Sequence, residues 1–337
     1  MADYDDGNRA FLQAFIGRSS MTFQDAQPVL AAILSVSEGQ TVDPSDIDQE
    51  QFYSYLEAAN KAISQFDLEI RSSIPQNPQS TESDTTPTIP ARVWALVNTT
   101  SDPLTQLATT YTADEIAFLK RLLDFMFLTN NTVRSEGMCA KQLQAVGLHK
   151  APTGGRQSTS NDPSQPQSAA SQSLTMTQAE KVIVNLIAEG WLQKSQKGYL
   201  TLTPRALMEL RGWLVAEYND DNVTRIKKCA ACKETITVGQ RCAVLECKGR
   251  LHDHCMANFF RMKQSETCPV CDEEWPGNFF VGERALTATS RPSGVAPRRT
   301  PVPIRSSEGA STQASPAPPT PLDANLENSE ADSGEEE

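Results

Sequence analysis

The sequence predicts a mainly helical protein with small β-sheets, in which two similar helical modules precede a zinc-stabilised module and a disordered tail. Apolar residues recur at helical spacing in two separate stretches, and each stretch also contains a strand-like pattern. Seven of the eight cysteines lie between Cys229 and Cys271. Residues 281–337 lack the apolar side chains that a packed core requires, and they become acidic at the end.

Length and composition exclude several classes of protein. A chain of 337 residues corresponds to two or three domains at roughly 100–200 residues each. No apolar run approaches the roughly 20 residues that a membrane-spanning helix needs, and the acidic N-terminal segment does not have the pattern of a signal peptide. Of the net charge of −12, the last fifteen residues contribute −7. The remaining charge of the chain therefore does not exclude a local surface for nucleic acid.

The first module, residues 8–100, contains three helical patterns followed by a strand. The apolar positions of the helices are Phe11, Leu12, Phe15 and Ile16, then Val29, Leu30, Ile33 and Leu34, then Phe52, Leu56, Ile63, Phe66 and Ile70. We expect Pro28 to help start the second helix and the third helix to end before Pro75. Residues 92–98 alternate as a strand does. Three helices followed by a strand pair are typical of a winged helix.

The second module, residues 111–218, repeats this order. Thr112 and Glu115 form a capping box before a helical stripe, and a short helix is expected over residues 139–148. Residues 150–173 are rich in Ser, Gln, Pro and Gly, which predicts a disordered insertion. A helix from Thr177, a hairpin around a Lys-Gly turn and a last helix opened by Pro204 complete a second predicted winged helix.

The cysteine cluster predicts two structural zinc ions. The potential ligands form four pairs: Cys229 and Cys232, Cys242 and Cys247, His252 and Cys255, Cys268 and Cys271. Zinc in structural sites takes four Cys or His ligands, and a C-x-x-C turn brings two thiolates to one ion. Eight ligands fill every position of two ions, so no position remains for water or substrate. Disulfides are the alternative, but nothing in the sequence directs the chain to an oxidising compartment.

The order of the ligands occurs in PHD fingers and in RING variants, which both interleave their zinc sites as a cross-brace. This interleaving assigns Cys229, Cys232, His252 and Cys255 to one ion, and Cys242, Cys247, Cys268 and Cys271 to the other. His254 is an alternative ligand without the turn spacing of His252. PHD fingers carry an aromatic residue where this chain has Glu266, whereas RING domains favour Cys-Pro-x-Cys, as at residues 268–271. We therefore predict a variant RING finger over residues 225–280.

Three segments give a specific resemblance. They are Val93–Thr99, Trp191-Leu192, and the cysteine cluster continued through Glu274-Trp275-Pro276. Together they resemble the non-SMC element one family, the RING-like subunit of the five–six type structural-maintenance-of-chromosomes complex, over residues 8–280. The resemblance implies nuclear, chromatin-associated action in DNA repair and recombination. It also implies that the winged helices bind a MAGE-type subunit, with a kleisin subunit completing a trimer.

The same resemblance implies a RING-type ubiquitin transferase that is activated by the MAGE-type partner. Such a ligase positions a ubiquitin-charged conjugating enzyme and forms no covalent intermediate, so we assign no catalytic residue. The candidate contacts for the conjugating enzyme are Ala231, Phe259, Phe260 and Pro269. One of the two phenylalanines is expected to pack its helix onto the zinc core instead. Asp272 follows the last cysteine where many active RING domains have a basic residue, so we expect weak or partner-dependent activity.

Two other functions remain open. One is a non-catalytic scaffold, in which the zinc ions and winged helices only hold partners together. The other is direct DNA binding, but the predicted recognition helix, residues 177–189, has Lys181 as its only basic residue. The wing adds Lys194 and Lys197, which are few for neutralising phosphates. We therefore expect DNA binding only as part of the complex, and neither a membrane nor a small-molecule substrate.

Overall fold

A computed structural model describes residues 4–77, 90–99, 107–151 and 173–288. Most of the predicted insertion and the tail beyond residue 288 lie outside the described residues. The helices are α1 (Asp6–Arg18), α2 (Phe23–Glu38), α3 (Gln49–Ile63), α4 (Ala113–Asp124), α5 (Gln142–Gly147), α6 (Met176–Ala188), α7 (Pro204–Glu209), α8 (Arg211–Tyr218), α9 (Asp253–Lys263) and α10 (Glu283–Ala288). Across these described stretches, no helix combines the length and apolarity that crossing a membrane would require.

The strands form three small antiparallel sheets, one in each module. They are β1 (Ser20–Thr22), β2 (Leu68–Ser73), β3 (Val93–Asn98), β4 (Ala140–Lys141), β5 (Leu192–Lys194), β6 (Tyr199–Leu202), β7 (Gly239–Arg241), β8 (Arg250–Leu251) and β9 (Phe280–Val281). Their orders are β1-β3-β2, β4-β6-β5 and β8-β7-β9. The mainly helical class with small sheets is thus the observed one.

The first module packs α1, α2 and α3 against one face of its sheet. Phe11, Phe15 and Phe52 are fully buried, and the Phe52 ring meets the Trp94 ring edge to face at 4.9 Å. Trp94 lies opposite Met21 in the β1–β3 register. Aromatic side chains from two helices and one strand, together with Met21 of a second strand, therefore form a single core.

Ile16, which the helical pattern places in the core, is 60% exposed. The start of α2 and the end of α3 also differ from the predicted boundaries. Helix α2 begins at Phe23 rather than near Pro28, because Thr22 and Asp25 form a capping box and cap the helix five residues earlier. Pro28 lies inside the helix.

The third helical pattern ends at Ile63, and Ile70 belongs to strand β2 instead. Asp67 adopts a left-handed backbone conformation with φ of 57°, which ends the helical turn. The backbone N–H of Ile70 then donates to the Asn60 side-chain oxygen at 2.6 Å, and Ile70 pairs with Leu96. A side chain of the helix thus holds Ile70 in the strand, and Ile70 is buried as its periodicity predicted.

The second module has the predicted capping box at Thr112 and Glu115. Its short helix α5 is preceded by strand β4, so the predicted helix over residues 139–148 begins three residues late. The helix opened by Pro204 is divided into α7 and α8 at Leu210. The core is formed by apolar side chains of α4, α6, α7, α8, β5 and β6.

The zinc module is joined to the second module at both of its ends. Ile226, before the first cysteine, and Val281, after the last, are 2% and 0% exposed and belong to the core of the second module. Residues 281–288, which the sequence assigned to a disordered tail, form the end of β9 and helix α10. Val281 is buried in the core of the second module, and Leu286 packs onto Gly137, where an added Cβ would lie 2.7 Å from the Leu286 side chain.

The first module also contacts the zinc module, through a residue that follows β2. The Gln76 side chain donates to the Thr235 carbonyl at 2.7 Å and accepts from the N–H groups of Thr237 and Val238 at 2.8 and 3.0 Å. One carboxamide thus satisfies three backbone groups of a distant segment.

Candidate metal centres

The structure brings the eight predicted ligands into two groups of four. One group is Cys229, Cys232, His252 and Cys255, and the other is Cys242, Cys247, Cys268 and Cys271. Within each group, all ligand atoms lie within 4.8 Å of one another. The grouping is the interleaved one, since the first and third ligand pairs form one group and the second and fourth pairs form the other.

Two short distances between sulfurs of the second group, Cys242, Cys247, Cys268 and Cys271, fit tetrahedral zinc. Cys242 and Cys271 have their sulfurs 3.5 Å apart, as do Cys247 and Cys268. Zn–S bonds of about 2.3 Å in a tetrahedron give S···S distances of about 3.8 Å. Both groups can therefore hold zinc, and because each supplies four protein ligands, the ions would be structural.

His252 turns Nδ1 toward the other ligands of its group, so it would coordinate a metal through that atom. Nδ1 lies 3.3 Å from the Cys232 sulfur and 3.9 Å from the Cys255 sulfur. The other ring nitrogen, Nε2, faces the Thr235 carbonyl oxygen at 3.4 Å. That contact orients the ring and leaves Nδ1 free for a metal. His254 stacks on the His252 ring with centroids 4.9 Å apart and belongs to neither ligand group.

Backbone N–H groups surround the sulfurs of the second group. Val244 donates to Cys242, Gly249 to Cys247 and Val270 to Cys268, at 3.3–3.4 Å. A Cβ at Gly249 would lie 2.5 Å from the Cys268 sulfur. The loop between β7 and β8 therefore packs directly against the sulfurs of the second group. Its position affects how these sulfurs are arranged.

The candidate contacts for a conjugating enzyme are not equivalent. Ala231, Phe259 and Phe260 are half-buried against the zinc core, and Pro269 is half-buried in the last ligand loop. The Phe260 ring meets the Trp275 ring edge to face at 5.9 Å, and Trp275 Nε1 donates to Gln240. Phe260 thus supports the core of the module. Phe259 lies on the same helix as Met262, which is 83% exposed.

Lys263, which the sequence analysis did not identify, occupies the space beside the last ligand pair. Its ammonium donates to Thr267 Oγ1 at 2.9 Å, to the Cys268 carbonyl at 3.1 Å and to Asp272 Oδ1 at 2.9 Å. These bonds use all three ammonium donors. The cation near Asp272 is therefore engaged within the zinc module.

A buried carboxylate, Glu136, was also missed. It lies in the loop after α4, is 2% exposed, and accepts from Arg250 of β8 at 2.5 and 2.7 Å and from Lys227 at 2.8 Å. Burial alone would raise the pKa of the carboxyl, but hydrogen bonds and charge from Arg250, together with Lys227, hold the pKa below its usual range. A glutamate in a polar loop 114 residues from its arginine leaves no local signal in the sequence.

Comparison with known families matches two parts of the chain. Residues 8–210 match the model for the Nse1 non-SMC component of the SMC5-6 complex. Residues 229–271 match the model for a RING-like domain.

Several relatives carry the name non-structural maintenance of chromosomes element 1, some as homologues. The Xenopus laevis relative is 26% identical over 186 residues, which cover 54% of this chain and 57% of the relative. The human relative is 22% identical over 272 residues, which cover 80% of this chain and 84% of the relative. The Schizosaccharomyces pombe relative is 22% identical, with 55% and 65% covered.

One solved structure, titled Nse1-Nse3-Nse4 complex, contains a chain of similar fold. The TM-score is 0.59 at 19% identity, and the match covers 82% of this chain and 99% of that chain. At this identity, the similarity shows a shared fold.

Proposed function

Because this chain belongs to the family of Nse1 non-SMC components of the SMC5-6 complex, we propose that it is a RING-type ubiquitin ligase subunit of that complex. We propose that it acts in the nucleus, in DNA repair and recombination, together with a MAGE-type subunit and a kleisin subunit. The solved complex that resembles this chain contains Nse3 and Nse4 by its title, which supports partners of these two kinds.

The observation that carries the ligase proposal is the half-buried surface beside two closed ligand groups. Ala231, Phe259 and Pro269 come from the first ligand turn, helix α9 and the last ligand loop, and each is partly accessible. Zinc supplies the fold of this module and no chemistry, because each ion would have four protein ligands. The surface itself would hold the conjugating enzyme in place.

Partner dependence follows from the charges beside this surface. Asp272, Glu273 and Glu274 follow the last cysteine and are exposed, and as carboxylates they accept hydrogen bonds but cannot donate them. The nearby Lys263 has no donor left to offer to ubiquitin. A donor supplied by another subunit would complete the contact, so we propose that the MAGE-type partner activates the ligase.

The test is ubiquitin-chain formation by the full chain, with and without its MAGE-type partner, across a panel of conjugating enzymes. We expect chains only with the partner present, and none after the double change Cys242→Ala and Cys268→Ala. If no enzyme in the panel yields chains while the complex still assembles, the second candidate function stands. This is a zinc-stabilised scaffold, which the exposed acidic residues 272–274 favour.

The two phenylalanines of α9 give matched variants for the same assay. We expect Phe259→Ala to weaken conjugating-enzyme binding about 10-fold while both zinc ions are retained. Phe260→Ala should instead lower the thermal stability of the zinc module, because it removes the contact with Trp275. Titration of the conjugating enzyme by NMR and zinc counting by mass spectrometry separate the effects. Equal loss of zinc in both variants would contradict this division.

A further inference from the structure

The junction between the second module and the zinc module buries more positive than negative charge. Glu136 lies within 4 Å of three cations, on Lys227, Arg241 and Arg250. Arg250 and Arg241 are 0% and 3% exposed, and the Lys227 side chain is 17% exposed. A single carboxylate cannot neutralise three cations, and unpaired charge in so buried a place is costly.

The arginine donors that Glu136 does not use are directed to the loop of the second ligand group. Arg250 Nη1 donates to the carbonyls of Cys247 and Gly249 at 2.8 and 2.6 Å. Arg241 Nη2 donates to the Leu245 carbonyl at 3.2 Å. Both arginines are therefore shared between the carboxylate of the second module and the loop that lies on the thiolates.

The missing negative charge is available from the second ligand group when it is loaded. Four thiolates around one divalent zinc ion leave roughly two negative charges in excess, which matches the two cations that Glu136 leaves unpaired. Without the ion, nothing draws the four ligand side chains into one tetrahedron. The loop carbonyls that Arg250 and Arg241 hold then lose this second anchor.

We propose that zinc loading of the Cys242, Cys247, Cys268 and Cys271 group is coupled to docking of the zinc module on the second helical module. Arg250 is the positioning residue shared by both, and Glu136 anchors it. This coupling does not depend on whether the zinc module recruits a conjugating enzyme. It makes the second zinc ion a determinant of how the modules are held together, beyond the folding of its own loop.

The first test compares Arg250→Met with wild type in the zinc-loaded full chain. We expect zinc to leave the second group about 10- to 100-fold faster, as is typical when a residue supporting metal ligands is removed, while the first group keeps its rate. Transfer of zinc to a chromophoric chelator gives the rates, and the order of cysteine alkylation identifies the group. Unchanged release from the second group, or equal acceleration of both groups, would overturn the proposal.

Arg211→Met is the matched control. Arg211 of α8 pairs with Glu234 at 3.1 Å across the same junction, but both side chains are well exposed. We expect this change to leave both zinc release rates unchanged, because an exposed ion pair contributes little. If Arg211→Met released zinc from the second group as fast as Arg250→Met does, general loosening of the junction would explain the effect. That result would overturn the assignment to Arg250.

The converse measurement uses the wild-type chain and so does not require a variant to fold. A limiting amount of chelator removes the second zinc ion, and hydrogen exchange is followed at two sites. The Gly282 N–H donates to the Glu136 carbonyl at the junction, and the Gly137 N–H, next to Glu136, donates to the Asn130 carbonyl within the second module. Because coupling is reciprocal, we expect exchange there to accelerate about 10-fold. Unchanged exchange with the second group empty would overturn the proposal.

Discussion

Cys139, the only cysteine outside the two ligand groups, is fully buried in the second module. Burial, together with the charge of Glu283, raises the pKa of its thiol to about 12. The thiolate is the reactive form of cysteine, so both access and ionisation oppose modification of this residue.

We therefore expect Cys139 to resist iodoacetamide at pH 8 in the folded, zinc-loaded chain. After denaturation the pKa returns to its ordinary range and the thiol should react at the rate of a free cysteine. Peptide mass spectrometry before and after denaturation measures both states. Rapid labelling of Cys139 in the folded chain would show that this part of the core opens readily.

At the scale of residues, the sequence identifies the zinc ligands more readily than the charged side chains that hold the zinc module in place. The cysteines and His252 are identifiable because pairs at turn spacing are a local pattern. Glu136 and Lys263 are ordinary charged residues, and their roles arise from contacts with groups that other segments bring near. Only the folded chain shows that one is buried against Arg250 and the other bonded to Asp272.

At the scale of elements, the sequence predicts that the helices exist, but it does not predict where several of them begin and end. The capping box of Thr112 and Glu115 is a local signal and was found, but the one at Thr22 was hidden by the more conspicuous Pro28. The sequence predicts helix at Ile70, which lies in strand β2, because the apolar residues there continue the helical period. Ile70 is held in the strand by its N–H, which donates to the Asn60 side-chain oxygen, and by pairing with Leu96.

The cap of α4 can be tested by Thr112→Ala, which removes the acceptor for the Glu115 N–H. We expect a loss of about 1 kcal/mol in the stability of the second module. Urea unfolding followed by tryptophan fluorescence measures it, since Trp191 and Trp213 lie in or against that core. Thr112→Ser keeps the hydroxyl and should stay near wild type; an equal loss in both variants would contradict a role for the cap.

At the scale of the whole molecule, contacts between modules were not predictable. Gln76 and Thr237 are 161 residues apart, and neither belongs to a pattern that indicates pairing. The sequence describes each module through local periodicity and ligand spacing. It contains no comparable signal for the side chains that bridge two modules.

Gln76→Ala should release this bridge while leaving each module folded. The N–H groups of Thr237 and Val238 then lose their acceptor, so we expect their hydrogen exchange to accelerate while zinc content is unchanged. Gln65→Ala is the control, because within the described residues the Gln65 side chain donates locally, to the Ala62 carbonyl. Equal exchange at Thr237 in the two variants would indicate that water replaces the Gln76 carboxamide without loss.

The position of Val281 in the core of the second module has a consequence for synthesis on the ribosome. The zinc module lies between Ile226 and Val281, and both residues complete the same core. Domains generally fold in order as the chain emerges, but here the upstream core cannot close until the downstream cysteines have emerged. Metal supply during translation would therefore affect when a helical module, whose described residues include neither ligand group, reaches its final packing.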